Sequence, residues 1–421
     1  VNRENRQSPS CSFCDSRKMN IIMDFGQVAL AGGFLRRDQF DAERTYPLRL
    51  YFCRECYAVQ VVDKVPPEVL FQDYFYFSSS IKTLSDHFQG YATEVTSRFL
   101  EPHKATVLEI GCNDGVLLRP LADQGIARVI GVDPAKNVLD SIRDSRLTLI
   151  NDFFDEDVAE AVVSNYGPVD LIMANNVYAH ISDIQGITRA IARTLAPDGV
   201  FVFEVHYLGK VIDELQYDMI YHEHLYYYSL LSAKEHFARH GMIVFDVKPV
   251  PIHAGSLRFF VCKEESRHAR AVTSAVTELE EEELSRGFNT FETFRRFSDR
   301  VEAQKNELLG LIARLRNEGR TIAGYGASGR ANTMIQYCGL DKRHLDFMID
   351  DAPAKAGFFT PGSHFQIHPS SILEEPNPPD YLLVFAWSFI EEIRKRNEKY
   401  LEGGGRTIVP LPKLSLFPPD R

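Results

Sequence analysis

Four cysteines fall into two tight pairs, Cys11-x-x-Cys14 and Cys53-x-x-Cys56. Each pair can wrap one edge of a tetrahedral metal, so the doubled spacing reads as a structural zinc site. Redox dithiols and unliganded thiols are the competing readings, whereas a catalytic zinc is disfavoured because four thiolates leave no open coordination position. A second candidate is Val107-Leu108-Glu109-Ile110-Gly111-Cys112-Asn113-Asp114-Gly115, with Gly131-Val132-Asp133 beyond it. The aliphatic run ending at Glu109 predicts a buried parallel strand, Gly111 lets backbone approach a ligand, and Leu117 with Leu118 opens the helix that follows. Asp133 lies about 20 residues past the loop, where a carboxylate can accept both hydroxyls of a ribose. Asn113 stands where a dinucleotide loop needs its second glycine, so a ligand without phosphates fits better, and S-adenosylmethionine is such a ligand. The bland alternative is any nucleotide-type fold with a glycine-containing turn. A third candidate, Tyr221-His222-Glu223-His224, offers a base, a carboxylate and a phenol within four residues. His-Glu-His is not the zinc-helix pattern His-Glu-x-x-His, so metal binding is the weaker reading there, and structural packing of a tyrosine-rich turn stays open.

These groups need elements to hold them. Strands are expected at 129–132, 169–174, 200–205 and 242–247, with a last pair ending near 257–261 and helices between most of them. That alternation predicts a mostly parallel sheet covered on both faces. Tyr221 and His224 follow the 200–205 strand, and Asn175 and His180 follow the 169–174 strand, so two loops bring histidines to the ligand edge of one sheet. Ser256 and Arg258 sit in a late turn, where Arg258 meets an anion or caps a hairpin. Residues 264–320 are charged and helical in pattern and read as a solvated connector. A second strand, glycine loop and helix then begins, Thr321-Ile322-Ala323-Gly324-Tyr325-Gly326-Ala327-Ser328-Gly329, with strands near 347–350, 381–386 and 407–409. A phosphate fits the N-terminus of its helix, against the alternative of a repeat used only for packing.

With 421 residues and 44% hydrophobic composition, two or three domains can each bury a core. A net charge of −11 argues against a nucleic-acid surface, while leaving room for a local basic pocket that takes a diphosphate. No apolar run is long enough to span a membrane and no signal peptide is evident, so small-molecule chemistry in the cytoplasm is expected. The seven cysteines do not form a disulfide framework. Nothing in the pattern sets an oligomeric state.

In their order along essentially the whole chain, these motifs resemble the sugar C-methyltransferases that act on nucleotide-linked 4-keto-deoxysugars. The likeness rests on the paired Cys-x-x-Cys module, Glu109 to Gly115, Tyr221 to His224, His253-Ala254-Gly255-Ser256-Leu257-Arg258, and Gly324-Tyr325-Gly326-Ala327. It departs at Ala254, where the family turn is expected to carry glycine. The resemblance implies an α/β enzyme of three parts: a zinc-binding domain (1–70), a Rossmann-like S-adenosylmethionine domain (71–263), and, after the connector (264–320), a second Rossmann-like domain (321–421) that helps to hold a nucleotide-sugar, of the dTDP type. It implies methylation at C3, beside the C4 ketone, with His224 as base, Tyr221 and Glu223 orienting it or the sugar, and His180 and Tyr76 near the keto oxygen. Cofactor contacts carried over are Gly111 and Asn113 at the methionine end, Asp133 at the ribose and Asp152 with Phe153 at the adenine, with Glu109, Gly115 and Asn175 completing the pocket. Substrate contacts are expected at Ser256, Arg258, Gly326, Ala327 and Ser328. An O- or N-methyltransferase, and a nucleotide-sugar binding protein with a retired donor site, are the alternatives.

Overall fold

The computed structural model describes residues 9–70 and 82–418, and Tyr76 lies outside them. Three sheets organise the described residues. The first begins with Met19–Ala29 (β1), Thr45–Cys53 (β2) and Val59–Val61 (β3), all antiparallel. β1 is invisible to a period-of-two search because its register against β2 slips twice, between Ile21 and Met23 and between Asp24 and Gln27.

The second sheet holds Thr106–Ile110 (β4), Arg128–Val132 (β5), Leu147–Ile150 (β6), Val169–Asn175 (β7) and Leu195–His206 (β8). Tyr226–Tyr227 (β9) leaves this run to pair with β3 at the edge of the first sheet. Met242–Val250 (β10) and Ser256–Lys263 (β11) close the second sheet, whose order is β10-β11-β8-β7-β4-β5-β6. The five strands from β8 to β6 are parallel, and the β10–β11 hairpin is antiparallel. β4 is buried along its whole length, as a central parallel strand must be. The strand order reverses between β4 and β7, which opens a crevice beyond their carboxyl ends.

A third sheet contains Ile322–Tyr325 (β12), Met348–Asp350 (β13), Ile367–Pro369 (β14), Tyr381–Val384 (β15), Arg406–Val409 (β16) and Ser415–Phe417 (β17), in the order β14-β13-β12-β15-β16-β17. It is parallel apart from β17 and also reverses direction, between β12 and β15. The chain is therefore α/β, with a small antiparallel N-terminal module and two Rossmann-like sheets. Among the described residues, no helix is long and apolar enough to cross a membrane.

The expected solvated connector has a buried face. Its helix Phe291–Asn317 buries Phe294, Phe297, Val301, Gln304, Leu308, Ile312 and Leu315, a three-and-four spacing that makes one stripe. Charged residues fill the other faces and hide that stripe from a reading by composition. Phe294 meets Phe52 of β2 at 4.8 Å between ring centroids, and Gln304 donates to the Pro410 carbonyl at 2.6 Å. One apolar cluster consequently runs from Leu50 through Leu308 to Leu383, joining the first and third sheets. Leu308→Ala should destabilise the protein by about 2–5 kcal/mol, the cost of a core cavity. Denaturant unfolding checks this, and an unchanged midpoint would place that face in solvent.

Candidate active site

The loop after β4 turns sharply because three of its residues adopt left-handed backbone: Gly111 at φ +67°, Asn113 at +48° and Gly115 at +76°. A Cβ on Gly111 would stand 2.9 Å from Val177, so only glycine lets this loop approach the loop after β7. Asp133, at the end of β5, accepts the backbone N–H groups of Asn113 at 2.9 Å and Ala135 at 2.8 Å. Each of its oxygens keeps a further lone pair, so the carboxylate can fix the loop and still receive two hydroxyls. Burial pushes the Asp133 carboxyl upward, against the pull of those two amides.

Glu109 is 4% exposed, and one of its oxygens accepts the Asn175 amide at 3.3 Å while the other has no partner. The Asn175 and Asn176 side-chain oxygens are likewise buried and unpartnered. Burial holds the Glu109 carboxyl well above its ordinary range. Three buried acceptor oxygens without partners fit a ligand that brings cationic donors, as the ammonium of S-adenosylmethionine does. At the end of β6, Asp152 and Phe153 are exposed, which leaves the Phe153 ring available to lie against a flat heterocycle.

The acid–base cluster stands beside this pocket. Tyr221 to His224 form a turn between a short 3-10 segment, Tyr217–Met219, and β9. The His224 Nδ1 lies 2.8 Å from the Met219 carbonyl, which can only accept, so Nδ1 carries the proton and Nε2 presents a lone pair. The Tyr221 hydroxyl is 3.0 Å from that Nε2 and donates to it. The His180 ring packs edge-on at 4.9 Å and His206, at the end of β8, lies at 5.4 Å. Burial, then these two neighbours, hold His224 well below the usual histidine range. Burial likewise pulls His180 down to about 4 and His206 to about 3. Burial thus favours the uncharged ring at all three positions, in which each imidazole offers one lone pair and one N–H.

The structure revises several expected contacts. The Met219 carbonyl orients His224, a backbone partner that no side-chain pattern could reveal. Glu223 turns toward the loop after β1, with its carboxyl 3.6 Å from where a Cβ on Gly32 would be, and burial pushes it up to about 7. Arg258 is 2% exposed and committed to Glu204 at 2.5 Å and Glu94 at 2.7 Å, with its guanidinium 3.5 Å over the Tyr91 ring. It braces β11 against β8 and the helix Lys82–Phe99 and has no face toward an anion. Ser256 is buried as well, and its hydroxyl donates to the Ile252 carbonyl at 3.2 Å. Gly115 shapes its turn over Ile142, which would sit 3.3 Å from a Cβ there. The turn departure has a visible cost: His253, Ala254 and Gly255 all have positive φ, at +50°, +63° and +107°, a region that disfavours alanine.

In the third sheet, Gly326 has φ +93° and no room for a Cβ, which would meet Ala386 at 2.9 Å. Ser328 caps the helix Gly329–Cys338 by accepting the Ala331 N–H, and the Ala327 carbonyl accepts Lys355 at 2.7 Å. The N-terminus of that helix abuts both other units, since a Cβ on Gly329 would lie 3.2 Å from Ala31 and 3.7 Å from the Tyr221 ring. Arg330 and Trp387 both donate to Asp218 at 2.9 Å, tying the third sheet to the segment that precedes Tyr221. Sequence reasoning missed Asp218, Arg330 and His206, although His206 ends a strand whose carboxyl edge was the place to look.

The four paired cysteines converge, with all their sulfurs within 4.8 Å of one another. Cys11 and Cys56 are 3.4 Å apart and Cys14 and Cys53 3.6 Å. A tetrahedral zinc with Zn–S near 2.3 Å requires sulfur spacings of about 3.8 Å, so the set fits that ion.

A parallel sheet with an acceptor-lined glycine loop at its switch point defines a methyltransferase class of site, and the chain matches family models accordingly. Residues 85–245 match a methyltransferase domain, residues 251–412 a C-methyltransferase C-terminal domain, and residues 11–71 a zinc binding domain. The C-methyltransferase NovU of Streptomyces niveus is 33% identical over 413 residues, covering 97% of this chain and 96% of that protein. A ubiquinone biosynthesis O-methyltransferase of Neisseria meningitidis is 31% identical over 105 residues, 23% of this chain and 42% of that protein. Among solved structures, the CcbJ methyltransferase of Streptomyces caelestis has a TM-score of 0.34 at 13% identity, covering 45% of this chain and 100% of that one. The chain belongs to the C-methyltransferase family. It is an S-adenosylmethionine-dependent enzyme with an N-terminal zinc-binding domain.

Two measurements test the site as built. Cys53→Ser should lose the zinc and stability with it, and metal analysis showing full occupancy in that variant would exclude the four-thiolate site. Asp133→Ala should weaken S-adenosylmethionine about tenfold, roughly 1–2 kcal/mol, through two lost charge-assisted bonds. An unchanged dissociation constant by calorimetry would remove Asp133 from the ribose.

Proposed function

We propose that the enzyme methylates C3 of a nucleotide-linked 4-keto-deoxysugar, of the dTDP type, in the cytoplasm. The observation that carries this reading is the His224 imidazole, whose Nδ1 is bonded to the Met219 carbonyl so that Nε2 presents its lone pair beside the donor pocket. An oxygen or nitrogen acceptor is already nucleophilic, whereas a carbon acceptor must first lose a proton, and a C–H beside a ketone is acidic enough for histidine to remove.

On this reading His224 Nε2 takes the C3 proton, and Tyr221, whose hydroxyl donates to the same nitrogen, must turn toward the sugar as substrate enters. Charge appears as an imidazolium and an enolate together, so the enolate offsets the desolvation that otherwise keeps His224 neutral. His180, whose ring lies 4.9 Å from that of His224, and Tyr76 are assigned to the keto oxygen by resemblance. Glu223, largely shielded and able to hold its proton near neutrality, orients the sugar rather than the base. Bound S-adenosylmethionine supplies an electrophilic methyl group at its sulfonium, held by Gly111, Asn113, Asp133, Asp152, Phe153, Glu109 and Asn175. The nucleotide end rests on the loop Gly326-Ala327-Ser328, where a helix N-terminus and the unpartnered Nη2 of Arg330 are the donors for a diphosphate. We divide the labour as residues 1–70 for zinc, 71–263 for the methyl donor and base, 264–320 for the buried-stripe helix and 321–421 for the nucleotide.

His224→Asn keeps size and removes the basic nitrogen. Turnover on dTDP-linked 4-keto-deoxyhexoses should fall by about 10²–10⁴-fold while S-adenosylhomocysteine still binds. Near-wild-type turnover would move the base elsewhere, with His180 and Tyr221 next in line.

A further inference from the structure

The turn that carries His224 is held from outside by the zinc-bearing sheet. β9 starts two residues after His224 and pairs with β3, Val59 opposite Tyr227 and Gln60 opposite Tyr226. Just before it, the Val61 N–H donates to the Leu225 carbonyl at 2.8 Å, and the Leu225 N–H donates to the Ala179 carbonyl at 2.9 Å. Leu225 is therefore clamped between the zinc module on one side and the His180 loop on the other.

A side chain within the turn adds a second tie. His222 is 1% exposed, and its Nε2 lies 3.2 Å from the Pro47 carbonyl of β2, with the ring edge-on to Tyr46. A carbonyl only accepts, so Nε2 is the protonated nitrogen and His222 cannot serve as a base through it. On the metal side, Gln60 is fully buried, donates to Cys11 Sγ at 3.0 Å and accepts the Ser12 N–H at 2.8 Å. Phe13, inside the first cysteine pair, packs against Tyr226 at 5.1 Å and Tyr228 at 5.7 Å. An unbroken chain of strand pairing, hydrogen bonds and ring contacts thus connects the thiolates to the His224 turn.

We propose that the zinc-bearing sheet positions the catalytic base: His222, bonded to Pro47, together with the β3–β9 pair, sets where His224 stands. The proposal rests on the reading of His224 as the base. Its physical warrant is tolerance, because a base must be held within about 0.5 Å of its productive place and a 1 Å error costs on the order of 10²-fold. The Met219 carbonyl and the Tyr221 hydroxyl orient the His224 ring within the turn, whereas the place of the turn itself is set by what it is bonded to outside. The donor pocket, by contrast, is lined by residues at the ends of β4 to β7, and the His222 ring bonds to Pro47 rather than to any of them.

The test uses the full-length, zinc-loaded enzyme and four variants. His222→Phe keeps an aromatic ring without the N–H, His222→Leu removes both, and His222→Gln restores an amide donor able to reach the Pro47 carbonyl. His224→Asn is made alongside. Zinc content, S-adenosylhomocysteine affinity and turnover of the most active dTDP-linked 4-keto-deoxyhexose are measured for each. We expect one zinc per chain and affinity within about twofold of wild type in all His222 variants. Turnover should drop about tenfold or more in the Phe and Leu variants and largely recover in Gln. Full turnover in the Phe or Leu variant, with His224→Asn inactive, would overturn the positioning role. An equal loss in Phe, Leu and Gln would also overturn it, by showing that the bond to Pro47 is not what matters. Full turnover in His224→Asn would instead defeat the base assignment, and the positioning proposal would fall with it.

Discussion

Removing a proton from carbon next to a methyl donor requires a base that is neutral before the substrate arrives, and the burial of His224 among other imidazoles imposes that state. Protonating it would place a cation in a low-dielectric pocket beside His180 and His206, with no carboxylate bonded to it. The Met219 carbonyl then fixes which nitrogen is basic. On the proposed reading, charge is admitted only when an enolate forms opposite it, so the environment that makes His224 reluctant as a free base makes the charged pair acceptable as it forms. A group so placed cannot be supported by solvent and must be held by protein from every side.

That requirement accounts for the architecture. The second sheet supplies the donor loop and the strand ends bearing His180 and His206. The first sheet clamps the turn through Val61 and Pro47, and the third presses the N-terminus of the helix Gly329–Cys338 against Tyr221 and draws Asp218 into bonds with Arg330 and Trp387. The apolar stripe of the helix Phe291–Asn317 joins the first and third sheets into one core. Each contact is ordinary in strength, and their convergence on one short segment, from Asp218 to Leu225, gives them their effect.

Much of this was legible in the sequence. Glu109 to Gly115 with Asp133, and the two cysteine pairs, are short patterns that the fold does bring together, the loop meeting Asp133 through the Asn113 N–H and the four thiols lying within 4.8 Å of one another. The edge location of His180 and His224 followed from counting strands. What escaped was non-local or belonged to backbone: the Met219 carbonyl behind His224, and Arg258 spent on Glu94, 164 residues away. The same holds for a bulged β1 whose alternation is broken, and for a buried stripe masked by the charges around it. Such partners leave no periodic trace, because they are chosen by the tertiary meeting of distant segments.

The central claim is that the protein removes a proton from the carbon beside the sugar ketone. The direct measurement is solvent deuterium incorporation by wild-type enzyme into a dTDP-linked 4-keto-deoxyhexose without methyl donor, followed by proton NMR and mass. Both C3 and C5 flank the ketone, so the position is informative. The account predicts enzyme-dependent exchange of one proton, at C3. Exchange confined to C5, or none above the uncatalysed rate, would contradict it.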